Sequence, residues 1–188
     1  MFKLLQVNDI VRIPPDKFDM PLEVVAAEVL RSTYEGMVTR EFGAVIAVLN
    51  VKVSNVGKII PGDGGIYHKA SFDMLVYIPT IQEVIEGEVI DVTDFGVFVR
   101  IGPMDGLIHV SQIIDDFITY DEKRGALIGK ETQRVLEKGM IVRARIITVS
   151  LSSGQSKSSK IGLTMRQPFL GALNWIEEDI KKLQKKWY

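Results

Sequence analysis

The chain of 188 residues contains no cysteine. That removes disulfides, thiolate zinc sites and thiol nucleophiles together. Histidine is nearly absent as well: His68 and His109 are the only two, so a histidine-based metal cluster is not expected. No run approaches the ~18 apolar residues of a membrane-spanning helix, and the opening MFKLLQVNDIVRIPP lacks the apolar centre of a signal peptide. An excess of either charge is missing too, with 23 Lys and Arg against 24 Asp and Glu and a formal net charge of −1. A protein that holds nucleic acid by charge alone is clearly basic, so any such role must rest on a local surface. A soluble, cytoplasmic chain with no cofactor and no metal is the expectation. What is present is ordinary for a folded protein: 46% hydrophobic and 25% charged residues, at a length that suits one large domain or two small ones.

The near-zero total hides a polarity. Residues 1–80 carry 8 basic and 9 acidic side chains, 81–138 carry 6 and 12, and 139–188 carry 9 and 3. The second half therefore runs from a balance of −6 to one of +6.

The pattern of apolar residues divides the chain near residue 80. Phe2, Leu4 and the run Val7 to Ile13 read as a strand that Pro14 and Pro15 stop. Pro21 stands where a first helical position would, and Leu22, Val25, Ala26, Val29 and Leu30 recur at helical spacing until Gly36. From Gly43 to Asn55 the period is two, which predicts one face of Val45, Ala47, Leu49, Val51 and Val53 and another of Asn50, Lys52 and Ser54. After the turn Pro61-Gly62-Asp63-Gly64-Gly65 comes a further strand, Ser71 to Ile78. Strand, helix and two strands predict a small α+β domain over 1–80, its helix covering an antiparallel sheet.

Residues 81–188 predict an all-β barrel with a C-terminal helix. Five short strands are expected, at Val84–Val92, Val97–Ile101, Gly106–Val110, Ile141–Val149 and Lys160–Thr164. The insertion 113–138 holds a hairpin tip at Tyr120 to Gly125 and a helical turn over Glu131 to Glu137. Residues 151–159 read as a Ser/Gly loop. After Pro168, Leu173, Ile176, Ile180, Leu183 and Trp187 form one apolar helical stripe. It is read first as packed on its own domain and second as a surface for a partner helix.

One stretch carries chemistry: Gly87-Glu88-Val89, then Phe95-Gly96-Val97-Phe98-Val99, then Gly106-Leu107-Ile108-His109-Val110-Ser111. Phe95 and Phe98 are three apart and would face opposite ways in a regular strand. Gly96 allows a kink that brings both rings to one outer face. Val97, Val99 and Ile101 would then fill the barrel, with Phe98 and Arg100 outside. Two exposed rings beside His109 make a stacking platform for single-stranded nucleic acid, at ~1–3 kcal/mol per stacked base. Arg143 and Arg145 alternate with Val142 and Ala144 and offer phosphate contacts, and Arg100 and Lys160 are the further cations expected on the RNA-binding face. The pattern resembles the S1-type RNA-binding domain, an OB-fold barrel. By position that resemblance implies an RNA face including Phe95, Phe98 and His109. Two positions depart from the family, Ser150 where an Asp is frequent and Lys160 where an Arg opens the fifth strand, which implies weak, salt-sensitive RNA contact.

The rest of the chain resembles the archaeal RNA polymerase stalk-subunit family usually called E-prime, whose counterparts are the seventh-subunit stalk proteins of the nuclear polymerases. The resemblance rests on Val11-Arg12-Ile13-Pro14-Pro15, Tyr34-Glu35-Gly36, Pro61-Gly62-Asp63-Gly64, Val84-Ile85-Glu86-Gly87 and Leu163-Thr164-Met165-Arg166-Gln167-Pro168, in order and at matching spacing. It implies a non-catalytic subunit of the DNA-directed polymerase. Its N-terminal domain would dock on the polymerase core near the clamp through a loop centred on Gly62, Asp63 and Gly64. A small helical stalk partner, the F polypeptide of the polymerase, would be gripped by the chain, and the barrel would meet nascent RNA. A free-standing RNA-binding factor of translation or RNA processing is the alternative. The residues agree on catalysis: Asp115-Asp116 and Glu177-Glu178-Asp179 read as solvated acidic runs, His68 as a structural hydrogen bonder, and no nucleophile constellation is evident.

Overall fold

The computed structural model describes residues 1–152 and 160–186. The chain parts into two compact units, the first taking in residues 1–78 and the second beginning at Pro79.

In the first unit, β1 (Phe2–Ile13), α1 (Leu22–Tyr34), β2 (Val38–Thr39), β3 (Gly43–Ile59) and β4 (Ile66–Tyr77) form one helix on a four-stranded antiparallel sheet of order β1-β4-β3-β2. β1 ends at Pro14, which has no N–H to continue the ladder. Pro21 proves to be the residue that precedes the first helical one, so α1 starts one position later than its sequence suggests. The helix buries Val25, Ala26 and Leu30 against Val11, Val45, Val48, Phe72, Met74 and Val76. Each such aliphatic or aromatic side chain contributes about 1.5–3 kcal/mol on burial. Tyr34 stacks obliquely on Phe72 at 5.4 Å and donates its hydroxyl to the Asp9 carboxylate. Burial, then the carboxylate, push that phenol up to about 12.

β3 departs from the expected alternation. Its register against β4 shifts between Val45 and Ala47, between Leu49 and Lys52, and between Val53 and Gly57. Each bulge resets which side chains face the helix. Val48 is consequently in the core, Leu49 is exposed, and Ala47 lies on the face away from α1, contrary to the uniform stripe that period two predicts. His68 is buried, with Nδ1 2.8 Å from the Ser54 carbonyl oxygen. A carbonyl only accepts, so that nitrogen is the donor, and the structural role expected of His68 holds.

The second unit contains β5 (Val84–Thr93), β6 (Gly96–Arg100), β7 (Asp105–His109), β8 (Ile118–Asp121), β9 (Ala126–Gly129), β10 (Val135–Glu137), β11 (Ile141–Ser150), β12 (Lys160–Thr164), β13 (Gly171–Ala172) and α2 (Leu173–Lys186). The meander β5-β6-β7 joins β11 through β5. β12 then pairs with β11 and, in parallel, with β7, which closes a five-stranded barrel. Closure leaves no free edge among those five strands. Val89, Val97, Val99, Ile108, Val142, Ala144, Ile146, Ile161 and Leu163 fill the inside, as their alternation predicts.

The insertion forms its own three-stranded antiparallel sheet, β10-β9-β8. The helical turn expected over 131–137 is instead a tight turn followed by β10. Val135 and Leu136 pair with β9, and Leu136 is buried. The apolar stripe of α2 is only partly used. Ile176 is buried, whereas Ile180 and Leu183 are exposed and Trp187 lies outside the described residues. Trp175, off that stripe, is the buried aromatic, with the Arg134 guanidinium 5.5 Å from its ring centre and ion-paired to Asp179. Of the Ser/Gly loop expected over 151–159, residues 153–159 also fall outside the described residues.

Candidate nucleic-acid interface

Phe95 sits in the turn between β5 and β6, and Phe98 in the middle of β6. Their ring centres lie 6.1 Å apart at 89°, an edge-to-face pair. Gly96 makes this possible. Its φ is +154°, and a Cβ there would stand 2.2 Å from the Ile108 carbonyl oxygen, so a side chain fits neither the backbone angle nor the space. The turn is held by Thr93 Oγ1 donating to the Gly96 carbonyl at 2.8 Å and by Val110 N–H donating to the Phe95 carbonyl at 2.9 Å. Phe95 is 46% exposed, and Phe98 is half-buried.

His109 stands directly opposite Gly96 across the β6–β7 ladder, which sets it beside the phenylalanine pair. It is exposed; its Nδ1 accepts the Ser111 backbone N–H at 3.3 Å and lies 2.8 Å from Ser111 Oγ. With Nδ1 accepting, the neutral ring carries its proton on Nε2. Asp91 lies opposite Phe98 on β5 and is exposed, so the platform has a carboxylate on one flank.

The cations expected on the same face are distributed elsewhere. Arg100 is at the far end of β6, roughly 13 Å along the strand from Gly96, opposite Asp105 and with Nε 3.3 Å from its Oδ1. Arg143 and Arg145 stand opposite Glu86 and Val84 near the start of β5. Arg143 donates from Nε and Nη2 to Glu86 Oε1 at 2.9 and 2.7 Å. Arg145 Nη1 donates to the Gln82 carbonyl at 3.3 Å, while its buried Nε has no partner among the described residues. Lys160 is exposed at the first position of β12, opposite Ser150. The structure thus gathers Phe95, Phe98 and His109, and separates them from Arg100, Arg143 and Arg145.

One cation that the sequence did not single out bonds to Ser111, two residues past His109. Arg166, just past β12, donates Nη1 to the Ser111 carbonyl at 3.3 Å and Nη2 to Asp115 Oδ1 at 2.5 Å. The Met165 N–H donates to the Gln112 carbonyl at 2.8 Å and anchors this tail. The parallel pairing of β12 with β7 brings the segments that follow these two strands together. Nothing local in Leu163-Thr164-Met165-Arg166 signals that proximity.

Both residues of the Asp115-Asp116 run have internal work, contrary to a merely solvated surface. Asp115 pairs with Arg166. Asp116 accepts the Thr132 N–H at 2.9 Å, its hydroxyl at 2.7 Å and the Glu131 N–H at 3.2 Å. The Thr132 N–H is the main reason its carboxyl titrates below the ordinary range.

The turn at 61–65 is organised around Asp63. Its carboxylate accepts from Arg12 Nε at 2.8 Å and Nη2 at 2.5 Å, from Tyr67 Oη at 2.5 Å and from Gly65 N–H at 3.0 Å. The Arg12 bonds, then Tyr67 and Gly65, hold the Asp63 carboxyl far below the carboxylate range, and Asp63 in turn raises the Arg12 guanidinium and the Tyr67 phenol. Gly62, with φ +89° and open space around its Cα, is left to form the outer bend. Beside it Ile59 is 74% exposed, and Ile60 is exposed as well.

A helix-on-sheet unit followed by a closed barrel with an aromatic outer face defines a two-domain chain of the SHS2–S1 class. Residues 8–64 match the SHS2 domain found in the N terminus of Rpb7p/Rpc25p/MJ0397, and residues 78–156 match the S1 RNA binding domain. The chain is 48% identical over 178 residues to the DNA-directed RNA polymerase subunit Rpo7 of Saccharolobus shibatae, covering 95% of this chain and 98% of that one. To Rpo7 of Sulfolobus acidocaldarius it is 48% identical over 185 residues, 98% of this chain and all of that one. The DNA-directed RNA polymerase III subunit RPC8 of Bos taurus is 25% identical over 200 residues, 93% of this chain and 98% of that one. The chain belongs to the Rpo7 family of DNA-directed RNA polymerase subunits.

Proposed function

We propose that the chain is a non-catalytic, cytoplasmic stalk subunit whose barrel touches nascent single-stranded RNA during transcription. The observation that carries the RNA reading is the Phe95–Phe98 pair, with an exposed ring beside His109 on the outside of an S1 barrel. Bases stack on Phe95 and Phe98, and His109 Nε2 donates to a base edge or phosphate. Arg166 lies close enough to exchange its solvent-exposed Asp115 for a phosphate. Surface ion pairs of this kind are worth little, so the exchange costs little. Arg143, committed to Glu86, contributes field rather than a direct bond, and Arg100, Arg145 and Lys160 extend that field beyond the platform. Few positive contacts, with Asp91 on the flank, make the binding weak and give it a shallow salt slope of about one per phosphate held.

In the same reading the first unit docks on the polymerase core near the clamp. Asp63 acts there by shaping the turn, and the outward surface is the Gly62-Gly64 backbone with Ile59 and Ile60. The F polypeptide is the small helical stalk partner, and the exposed Ile180 and Leu183 of α2 suit a helix–helix contact. Co-expression with the other polymerase subunits, followed by affinity capture of the core, tests the assembly. The chain should be retained together with its small helical partner, and Ile59→Glu with Ile60→Glu should release it from the core. Recovery as a lone monomer from such cells would overturn the stalk reading.

A further inference from the structure

α1 covers one face of the first unit's sheet, and among the described residues the opposite face leaves Asn8, Ile10, Lys52, Lys58 and Lys69 exposed. On it β4 presents Tyr67, Lys69 and Ser71 in succession. The register sets Arg12 and Lys58 beside Tyr67, Ile10 beside Lys69, and Asn8 and Lys52 beside Ser71. The bulges of β3 after Leu49 and after Val53 bow that strand, and two adjoining cavities of about 570 and 290 Å³ run along these rows. They share Ile10, Ser54 and Lys69.

The charge on the rows from Tyr67 to Ser71 is predominantly positive. Lys52, Lys58 and Lys69 are exposed, and none forms an ion pair among the described residues. Arg12 is neutralised by Asp63. Asp9, at the rim, accepts the Tyr34 hydroxyl on the helix side, and Asp73, one row beyond Ser71, accepts Asn50 Nδ2 at 2.8 Å. Three uncompensated lysines therefore share one face, although residues 1–80 as a whole carry 8 basic and 9 acidic side chains. Apolar surface is interleaved with them: Ile10 is 59% and Val56 79% exposed.

We propose that this groove docks an extended acidic segment of a partner protein, with carboxylates alternating with aliphatic side chains. Successive same-face rows of the sheet are about 7 Å apart, which is also the spacing of every second residue in an extended peptide. Carboxylates at that spacing reach Lys58, Lys69 and Lys52, while the interleaved aliphatics cover Ile10 and Val56. Nucleic acid fits less well: the one ring in the groove, Tyr67, is half-buried with its hydroxyl tied to Asp63, so no open aromatic face is offered for stacking. The proposal is independent of the barrel's RNA contact.

The test uses the full chain and a short labelled peptide of alternating Glu and Leu, read by fluorescence anisotropy. A peptide of the same composition in separate Glu and Leu blocks serves as control. The alternating peptide should bind, and more tightly than the block peptide. Lys52→Glu/Lys58→Glu/Lys69→Glu should weaken it by about tenfold or more and should create binding of an alternating Lys-Leu peptide. Lys52→Gln/Lys58→Gln/Lys69→Gln, with an unchanged melting temperature, should give an intermediate loss and keeps the test valid if the reversed variant does not fold. Equal binding of both peptides, or no effect of either variant, overturns the proposal. So does loss of oligouridylate binding in the Gln variant without any peptide binding by the parent chain, which would make this a nucleic-acid face.

Discussion

The turns at 93–96 and at 61–65 are built from the same materials, a carboxylate, a glycine with positive φ and a flanking aromatic, yet they present opposite surfaces. In the barrel turn the hydrogen bonds run between Thr93 and backbone groups, so the rings of Phe95 and Phe98 and the imidazole of His109 are left for a ligand. In the turn of the first unit the side chains themselves carry the bonds. Asp63, Arg12 and Tyr67 satisfy one another, and what remains outside is backbone and aliphatic surface. A side chain with a free functional atom can act directly, and one whose atoms are all bonded internally acts through the shape it imposes. In the proposed interfaces, Phe95 and the Nε2 side of His109, whose Nδ1 is taken by Ser111, would act through their own atoms, and Asp63 only through the shape it imposes.

The most disruptive way to break this contrast is at Gly96. Gly96→Val places a Cβ against the Ile108 carbonyl and should cost the second unit about 3 kcal/mol, near the upper end of single substitutions. Denaturant unfolding of the full chain measures it, and Gly62→Ala, which meets the strain of a positive φ but no steric clash, should cost less. If the two cost the same, the close approach at Gly96 is not what shapes the platform.

Removing the rings should affect ligand rather than fold. Phe98→Ala together with His109→Ala should weaken oligouridylate binding by about 10- to 100-fold while leaving the melting temperature within a few degrees. Unaltered affinity in a filter assay would remove the platform from the interface.

The Asp63 cluster should show itself in acid. Its carboxyl titrates lower in the folded protein than in the unfolded chain, where the ordinary value is ~3.9. The stabilisation is thus complete above that unfolded value and is lost as pH falls through the folded one. Asp63→Asn should lower the melting temperature at neutral pH and flatten its decline below about pH 4. A decline as steep as the parent's would show that other carboxylates govern the acid limb.

The smallest effect separates the arginines. Arg166→Ala should reduce the slope of log affinity against log salt by about one, as one lost phosphate contact does, whereas Arg143→Ala should leave the slope nearly unchanged. Equal slopes for the two variants would mean that Arg143 leaves Glu86 when RNA arrives.

Much of the fold was legible because the barrel strands are short and half-buried, so Val97, Val99 and Ile101, or Val142 and Ala144, announce their faces by alternation. β3 was legible as a strand but not in its phase. Three bulges reset the alternation, and bulges depend on what β4 places opposite. Residues 131–137 misread as helical because Glu, Gln, Arg and Leu are good helix formers. Pairing of Val135 and Leu136 with β9 and burial of Leu136 outweigh that propensity. Along α2, helical spacing located the apolar stripe but could not say where the domain surface ends, so Ile180 and Leu183 emerge into solvent.

The sequence by itself determined the two-domain order, the closed barrel, the glycine that folds Phe95 back toward Phe98, and the family. These follow from local periodicity and from motifs whose spacing a short segment contains. Only the tertiary structure decided that Arg143 is spent on Glu86, that Arg166 reaches Ser111 and Asp115, that Asp63 is locked by Arg12 and Tyr67, and that Lys52, Lys58 and Lys69 share one exposed face. Each of these depends on which strands pair and in what register between segments separated in the chain, and a one-residue change of register would turn strand residues such as Arg143, Lys52 and Lys69 to the other side of their sheet.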